Sequence, residues 1–193
     1  MRLLGAPIRP APEPGLRVRD YEPADEVSWL RCRVLGLLDT SCYDDVWPVK
    51  RRADLELVVC DDNVVIGLFD VSVPGVTATI ETVVTHPDHR GRGICSALLD
   101  EALARLRRCG VREVDAWARD DAAVEWYLRN GFVEAERYLH VYASVDEVGT
   151  VVSVRHGLVA AGAFLHARIE REAELRQRFE RVYVSRRMVR ALP

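Results

Sequence analysis

Lysine is almost missing from this sequence, since Lys50 is the only one among 193 residues and arginine supplies the rest of the basic charge. Neither sign of charge dominates, because 27 basic residues face 30 acidic ones and leave a net charge of −3. A chain with this balance lacks the global attraction to nucleic acid that a strongly basic protein has. The composition therefore predicts a protein with no nucleic-acid partner.

Long apolar runs are missing as well. No stretch reaches the roughly 18 consecutive apolar residues of a membrane-spanning helix. The N-terminus also lacks the apolar segment that a signal peptide contains. We therefore expect a cytoplasmic protein with no membrane partner.

The five cysteines are odd in number and form no Cys-x-x-Cys pair. They also lack the spacing with histidine that a metal site requires. Cytoplasmic cysteines usually stay reduced, because disulfides are rare in that compartment. The sequence therefore predicts no metal site and free thiols at all five positions, which are Cys32, Cys42, Cys60, Cys95 and Cys109.

The length of 193 residues suits one domain with a substantial core. Prolines at positions 7, 10, 12 and 14 prevent a helix or a paired strand, so residues 1–15 are predicted to form a flexible tail. We expect residues 16–193 to form a single domain. Its core covers residues 16–143, and residues 144–193 form a C-terminal extension.

Alternating and helical patterns of apolar residues predict a chain of mixed strands and helices. Residues 144–156 have no clear pattern, and their structure stays open. The order of elements predicts an α/β fold with a sheet of mixed strand direction. Strands are expected at 16–20, 55–60, 64–73, 76–85, 111–118, 132–143, 158–165 and 181–189, and helices at 27–38, 94–109, 120–130 and 167–180.

A glycine-rich turn separates the strand at 76–85 from the helix at 94–109. Residues 90–95 read Arg-Gly-Arg-Gly-Ile-Cys. Free N–H groups and the helix dipole favour an anion at such a helix N-terminus. The dinucleotide pattern G-x-G-x-x-G fails because Ser96 stands at its last position, and no Gly-Lys-Ser/Thr follows for a Walker A loop. The turn therefore predicts a phosphate-binding site of another kind.

This turn closely resembles the Arg/Gln-x-x-Gly-x-Gly/Ala pyrophosphate loop of the GCN5-related N-acetyltransferases, the GNAT superfamily. Residues 120–132 resemble a second motif of that family, Asn-x-x-Ala-x-x-x-Tyr-x-x-x-Gly-Phe. The chain departs from the two patterns at Cys95 and Asp120. The resemblance covers residues 16–143. It implies the GNAT fold, a mixed central β-sheet flanked by helices, here with an additional C-terminal β-α-β segment.

The resemblance implies acetyl-CoA as the cofactor. Backbone N–H groups of residues 91–96 would hold the pyrophosphate, and two arginines of the loop would add charge-assisted contacts. The peptide-like pantetheine arm would pair with the exposed backbone of residues 83–85 in the strand at 76–85. The predicted cofactor-binding residues are Val83, Val84, Thr85, Arg90, Gly91, Arg92, Gly93, Ile94, Cys95, Ser96 and Asp120.

Two residues are candidate catalysts. The position of Tyr127 in the second motif implies a general acid that protonates the departing thiolate, although a packing residue is the alternative. Glu81 lies in an apolar strand, where burial would raise the pKa of its carboxylate. A raised pKa suits a general base that works near neutral pH. Glu81 could instead point outward or pair with an arginine. Asp70 is a weaker candidate base, and His86 is more consistent with a turn.

An acidic and aromatic stretch lies where this family builds its acceptor pocket. Carboxylates and ring faces there could bind a cationic amine, although a solvated loop has the same composition. The predicted acceptor-binding residues are Tyr43, Asp44, Asp45 and Trp47.

The sequence thus predicts an acetyl-CoA-dependent N-acetyltransferase in which a bound primary amine attacks directly, with a small-molecule acceptor preferred. A protein or peptide amine is the alternative within the same class. A non-catalytic acyl-CoA-binding regulatory module is the alternative from another class, while an enzyme acting on aminoacyl-tRNA conflicts with the charge. The acceptor, the acyl chain preference and the oligomeric state stay open, a homodimer included.

Overall fold

The structure is a computed structural model that describes residue 13 and residues 15–193. The predicted tail over residues 1–15 therefore lies almost entirely outside the described residues. Within the described part, eight strands form one sheet in the order β1-β2-β3-β4-β5-β8-β6-β7. The strands are β1 Val18–Asp20, β2 Leu55–Asp61, β3 Val64–Ser72, β4 Thr77–Thr85, β5 Glu113–Ala118, β6 Val133–Ala143, β7 Ala163–Ala167 and β8 Arg181–Ala191.

Helices cover both faces of this sheet. They are α1 Glu26–Leu37, α2 Ile94–Arg108, α3 Asp121–Arg129, α4 Val145–Val148 and α5 Glu172–Arg178. The main core lies under α2 and α3 and includes Phe69, Ile80, Leu98, Leu103, Ala116, Tyr127, Phe132 and Met188. The α1 core lies on the opposite face and consists of Trp29, Cys32, Val58, Val65, Leu68 and Val84. The C-terminal core consists of Leu139, Val141, Ala143, Val148, Leu175, Phe179 and Val182.

Strands β4 and β5 are parallel but pair only along their first halves. Their register ends at the pair Ile80 and Ala116, although β4 continues to Thr85 and β5 to Ala118. The strands separate beyond this pair and open a cleft in the middle of the sheet. The other strand pairs of the sheet are antiparallel.

A β-bulge interrupts β4 where the cleft begins. The pairing with β3 skips one residue between Ile80 and Thr82, so Glu81 is the extra residue. A bulge reverses the alternation of faces along a strand. Ile80 accordingly packs in the main core, whereas Val84 packs in the α1 core.

The sheet confirms the predicted fold class, a mixed α/β sheet flanked by helices with a C-terminal β-α-β segment. Strand β8, the last of that segment, lies between β5 and β6 rather than at an edge. The segment is therefore part of the central sheet, and the boundary predicted at residue 143 does not separate two parts of it. The open stretch 144–156 contains helix α4 and a loop. In the described residues, no helix is long and apolar enough to cross a membrane.

Candidate active site

A cavity of about 990 Å³ fills the cleft between β4 and β5. It passes through the sheet, because residues from both faces line it. Ile94 and Tyr127 belong to the main core on the α2 face. Trp117 lies on the α1 face, since its neighbours Ala116 and Ala118 belong to the main core and side chains alternate along a strand. The cavity therefore offers one half to each face of the sheet.

The first turn of α2 forms one end of the cavity. Gly91 and Gly93 have φ values of 80° and 76°, in the left-handed region where glycine is favoured. A side chain on Gly91 would meet no atom within 4 Å, so the space beside this loop is open. The first N–H groups of a helix have no partner inside the helix. This end of the cavity is therefore suited to an anion.

Cys95, the departure from the family pattern, lies within this turn. Its Sγ lies 2.9 Å from the hydroxyl oxygen of Thr85 at the end of β4. Burial raises the pKa of the Cys95 thiol to about 11, so the thiol is neutral at pH 7. An uncharged sulfur leaves the loop free of negative charge that would repel a phosphate.

The two arginines of the loop differ in position. Arg90 lines the cavity, where its guanidinium donates to both carboxylate oxygens of Asp39 at 2.5 and 2.8 Å and to the carbonyl of Gly36 at 3.0 Å. Arg92 does not line it, because its guanidinium pairs with Glu13 and lies 2.8 Å from His89 Nδ1. The Arg92 side chain thus lies outside the cavity, and its contact with a phosphate stays a prediction.

The second half of β4 presents a free backbone edge to the cavity. His86 donates its N–H to Ile66 on β3. Backbone N–H and C=O groups alternate in direction along an antiparallel strand. Those of Val84 therefore also point to β3, whereas those of Val83 and Thr85 point into the cleft. Strand β5 has separated from β4 at this point. An extended, peptide-like ligand could pair with these two residues as a further strand would.

Tyr127 lies in the main core and lines the cavity at the same time. Only 4% of the residue is exposed, and its ring packs edge-on against Phe132 at a centroid distance of 5.0 Å. Burial raises the pKa of the Tyr127 hydroxyl above its usual value, and the Cys95 thiol adds to this shift. Tyr127 is therefore a protonated donor at neutral pH, as the sequence predicts. Tyr127 also packs in the main core, which is the alternative role that the sequence left open.

Glu81 lines the cavity but is exposed, contrary to expectation. The prediction of a buried carboxylate is wrong, because the bulge turns this position out of the regular alternation of β4. The residue is instead accessible to solvent at the edge of the cavity. Its role as the general base stays a prediction.

Asp120 lines the cavity, but its carboxylate is occupied. Ser41 donates to it through both its backbone N–H and its hydroxyl, each at 2.9 Å. Asp120 stands at the N-cap of α3 without capping it through its side chain. This side chain therefore anchors the loop after α1, and its role in binding the cofactor stays a prediction.

The predicted cation pocket in the loop after α1 is contradicted by its ion pairs. Arg33 pairs with Asp45 at 2.6 Å, and Arg181 pairs with Asp44 at 2.9 Å. Among the four predicted acceptor residues, only Asp45 lines the cavity. Arginine guanidinium groups thus already occupy the carboxylates that an alkylammonium group would need.

The two aromatic residues of this loop also contact arginine. The guanidinium of Arg33 lies 3.7 Å from the ring centroid of Trp47, and that of Arg181 lies 4.8 Å from the ring centroid of Tyr43. Trp47 also stacks on Trp29 of the α1 core at 5.9 Å. Both rings therefore hold arginines of the protein.

The alternative base Asp70 forms a buried ion pair instead of lining the cavity. Lys50, the single lysine, places Nζ 2.9 Å from its carboxylate and also pairs with Glu56. Burial raises the pKa of Asp70 to about 6, although the nearby ammonium works in the opposite direction. His86 begins the 3-10 turn Pro87–His89 and accepts a hydrogen bond from the Asp88 N–H at 3.3 Å, which confirms its turn role.

Sequence reasoning missed the residues that line the α1 side of the cavity. Trp117, Arg119, Tyr138 and His140 come from β5, the segment after it, and β6. The alternation of Tyr138, His140 and Tyr142 with apolar residues along β6 was the available signal. It indicates a strand with one polar aromatic face but does not indicate that the cleft lies beside that face.

The comparisons with known proteins agree with this geometry. The model of the Acetyltransferase (GNAT) family matches residues 19–132. The chain therefore belongs to the GNAT family. An uncharacterized N-acetyltransferase from Methanocaldococcus jannaschii is 36% identical over 103 residues, a match that covers 47% of this chain and 44% of that relative. The chain thus spans less than half the length of this curated relative.

Solved structures share the fold at low sequence identity. A ribosomal-protein alanine N-acetyltransferase from Escherichia coli has a TM-score of 0.61 and 15% identity, with 92% of this chain and 94% of that chain covered. YncA, a putative acetyltransferase from Salmonella typhimurium solved with acetyl-CoA, has a TM-score of 0.57 and 17% identity, with 93% and 95% covered. PaiA N-acetyltransferase from Thermoplasma acidophilum, solved with coenzyme A, has a TM-score of 0.55 and 12% identity, with 80% and 99% covered.

Proposed function

We propose that this protein transfers an acetyl group from acetyl-CoA to the primary amine of a small molecule. The observation that carries the proposal is the free edge of β4 at Val83 and Thr85, which faces the cavity between the α2 N-terminus and Tyr127. The GNAT relatives solved with coenzyme A or acetyl-CoA support the choice of cofactor. Acetyl-CoA supplies an activated acyl thioester.

The residues present fit such a cofactor. The open space at Gly91 and the first-turn amides of α2 suit its pyrophosphate, and the free edge of β4 suits its pantetheine arm. Cys95 is small and neutral, so this departure from the family pattern does not block the loop. Arg90 would keep its ion pair with Asp39 and offer its remaining N–H groups to a phosphate.

Glu81 would take one proton from the acceptor's ammonium group, which frees the lone pair on nitrogen. Tyr127 would give its proton to the leaving sulfur as the C–N bond forms and the C–S bond breaks. The second proton lost by the nitrogen would restore Tyr127, and the exposed Glu81 would release its proton to water. The N–H of Val83 or Thr85 would stabilise negative charge on the carbonyl oxygen.

The loop after α1 favours a small acceptor over a protein. Three ion pairs hold it beside the cavity, namely those of Asp39 with Arg90, Asp44 with Arg181 and Asp45 with Arg33. The hydrogen bonds from Ser41 to Asp120 add a fourth attachment. A loop attached at several points restricts the α1 side of the cleft, where a peptide would need an open groove.

The experiment is a thiol-release assay of coenzyme A over a panel of amines, together with thermal unfolding in the presence of acetyl-CoA. We expect acetyl-CoA at 100 times its Kd to stabilise the protein by about 2.7 kcal/mol, and at least one amine to accelerate thiol release. Binding without any amine-dependent turnover would support the regulatory module instead. Absence of both binding and turnover would refute cofactor use.

A further inference from the structure

We infer that the acceptor is a free α-amino acid with an aromatic side chain, whose carboxylate binds Arg119 and whose ring packs on Trp117 and Tyr138. This inference rests on the proposed acetyltransferase function and assigns its substrate class. It is based on the α1 half of the cavity, which the cofactor-binding loop and Tyr127 do not occupy.

Arg119 has an unusual charge environment among the arginines of the cavity. In the described part of the chain, Arg33, Arg90 and Arg129 each pair with a carboxylate, of Asp45, Asp39 and Glu125 respectively. Arg119 makes no such ion pair with a described residue. A guanidinium group beside a cavity without a carboxylate partner is a ready site for a carboxylate of the ligand.

The contacts of Arg119 orient it without neutralising it. Its Nη2 donates to the Sγ of Cys42 at 2.8 Å, and its Nη1 lies 3.4 Å from Nδ1 of His140. Burial, with Arg119 as a second cause, lowers the pKa of His140 to about 4, so the imidazole is neutral at pH 7. Asp44 interacts electrostatically with Arg119 but is itself bound to Arg181, and the neighbouring Asp120 accepts hydrogen bonds from Ser41. Arg119 thus keeps donors and charge for a ligand.

The aromatic side chains beside Arg119 form a surface for a flat group. The rings of Trp117 and Tyr138 pack edge-on with a centroid distance of 5.0 Å, and Tyr138 also contacts His166 at 4.4 Å. Trp117 remains 42% exposed, so a ring of the ligand could bury part of it. Aromatic pairs of this kind gain stability beyond the area that they bury.

The spacing of charges matches a zwitterion. Glu81 and Trp117 are the first residues of β4 and β5 beyond their last pair, and Arg119 follows two residues later, about 7 Å further along the chain. The cavity therefore brings together the carboxylate of Glu81 for the ligand's ammonium group, the ring of Trp117 for its aromatic side chain and the guanidinium of Arg119 for its carboxylate. An α-amino acid carries all three complementary groups on one carbon, whereas a peptide N-terminus lacks the carboxylate there.

The test compares L-phenylalanine with phenethylamine, which has the ring and the primary amine but no carboxylate. We expect kcat/KM to be about 10- to 100-fold higher for phenylalanine, because it alone makes the charge-assisted hydrogen bonds with Arg119. Arg119→Met should remove this preference by lowering the phenylalanine value. The matched control is Arg137→Met, an exposed arginine of β6 that pairs with Glu134, and it should keep the preference.

The ring surface has its own comparison. Trp117→Ala should lower the ratio of kcat/KM for L-phenylalanine over L-alanine by about 2- to 10-fold. A ratio that does not change would overturn the assignment of the ring to Trp117.

A binding measurement decides the case if Arg119→Met does not fold or if no amine is acetylated. The probe is 3-phenylpropanoate, which has the ring and the carboxylate without the amine, with tryptophan fluorescence of the wild-type protein as the readout. Saturable binding supports the acceptor site even if the proposed transfer fails. No binding, or equal use of phenylalanine and phenethylamine by an active enzyme, overturns the acceptor class and leaves the acetyltransferase function intact. Preference for a phenylalanine-led dipeptide would also overturn it.

Discussion

Tyr127 serves the core and the cavity with different atoms of one side chain. Its ring packs between Trp126 and Phe132, with centroid distances of 4.9 and 5.0 Å. Burial raises the pKa of the hydroxyl and keeps the proton in place at neutral pH. The core thus positions a donor that needs no partner to stay protonated.

Tyr127→Phe should lower kcat by about 100-fold and leave the affinity for acetyl-CoA unchanged, because it removes the proton donor and keeps the ring. Steady-state kinetics and thermal shift with acetyl-CoA measure the two effects. The control is Tyr183→Phe, which loses only a 3.3 Å contact with Arg181. An unchanged kcat in Tyr127→Phe would show that the tyrosine is a packing residue alone.

The buried pair of Asp70 and Lys50 makes a prediction about pH. The pKa of Asp70 is raised to about 6, above the value near 4 of an unfolded chain. The folded state therefore binds more protons than the unfolded state between these values, and the contribution of Asp70 to stability falls as pH rises from about 4 to about 6.

The unfolding free energy of the wild type should accordingly fall relative to that of Asp70→Asn as the pH rises from about 4 to about 6. Urea unfolding of both proteins at pH 4, 5, 6 and 7 measures it. A difference that does not depend on pH would mean that Asp70 titrates with its ordinary pKa.

At the scale of elements, glycines set the distance between helices and the sheet. A Cβ on Gly36 of α1 would overlap Cγ1 of Val84 and approach the carbonyl oxygen of Thr85 to 2.9 Å. Helix α1 therefore lies directly against the end of β4 that borders the cleft. The close approach also places the carbonyl of Gly36 within reach of Arg90.

Gly36→Ala should destabilise the fold by about 1–3 kcal/mol, because the helix must move away from the strand. Chemical denaturation measures the change. Gly149→Ala is the matched control, since a Cβ there meets nothing within 4 Å and its φ of −62° suits alanine. Equal stability of the two variants would contradict the tight packing of α1 on β4.

At the scale of the whole molecule, β8 joins the two ends of the sheet. It pairs with β5 of the main core on one side and with β6 of the C-terminal core on the other. A continuous sheet of this kind should unfold as one unit.

Leu139→Ala should therefore lower the stability of the entire protein. Leu139 is fully buried in the C-terminal core, and such a truncation costs about 2–5 kcal/mol. None of the tryptophans belongs to that core, although Trp117 contacts Tyr138 of β6, so tryptophan fluorescence reports mainly on the rest of the molecule. One shifted transition by fluorescence and by far-UV circular dichroism is the expected result. A fluorescence transition at the wild-type position would indicate two independent units.

Most elements could be predicted because their information is local. The helix Ile94–Arg108 has apolar residues on one face and ends before Gly110, whose φ is 78°. Strand β4 begins one residue later than the alternation predicts and ends at the predicted Thr85. The C-terminal helix is shorter than predicted, Glu172–Arg178 instead of 167–180, because its first residues belong to β7 and a 3-10 turn.

The candidate site could be predicted only where a motif holds it. The glycine turn and Tyr127 lie at the cavity because each depends on residues close in sequence. The environment of Glu81 depends on a register shift against β3, which no local pattern shows. Arg181 pairs with Asp44 and Ser41 with Asp120 over long separations in the sequence, and Arg33 reaches Asp45 across a loop. A sequence does not specify such pairs.

The sequence by itself determined the GNAT motifs, the strand and helix order, and the glycine turn at the N-terminus of α2 for which we propose anion binding. These properties follow from backbone preferences and periodicity over a few residues. Only the tertiary structure decided how β4 and β5 separate, which acids arginine neutralises, and which side chains line the α1 half of the cleft. All three features depend on contacts between segments that are distant in the sequence. The same contacts leave Arg119 without a carboxylate partner among the described residues.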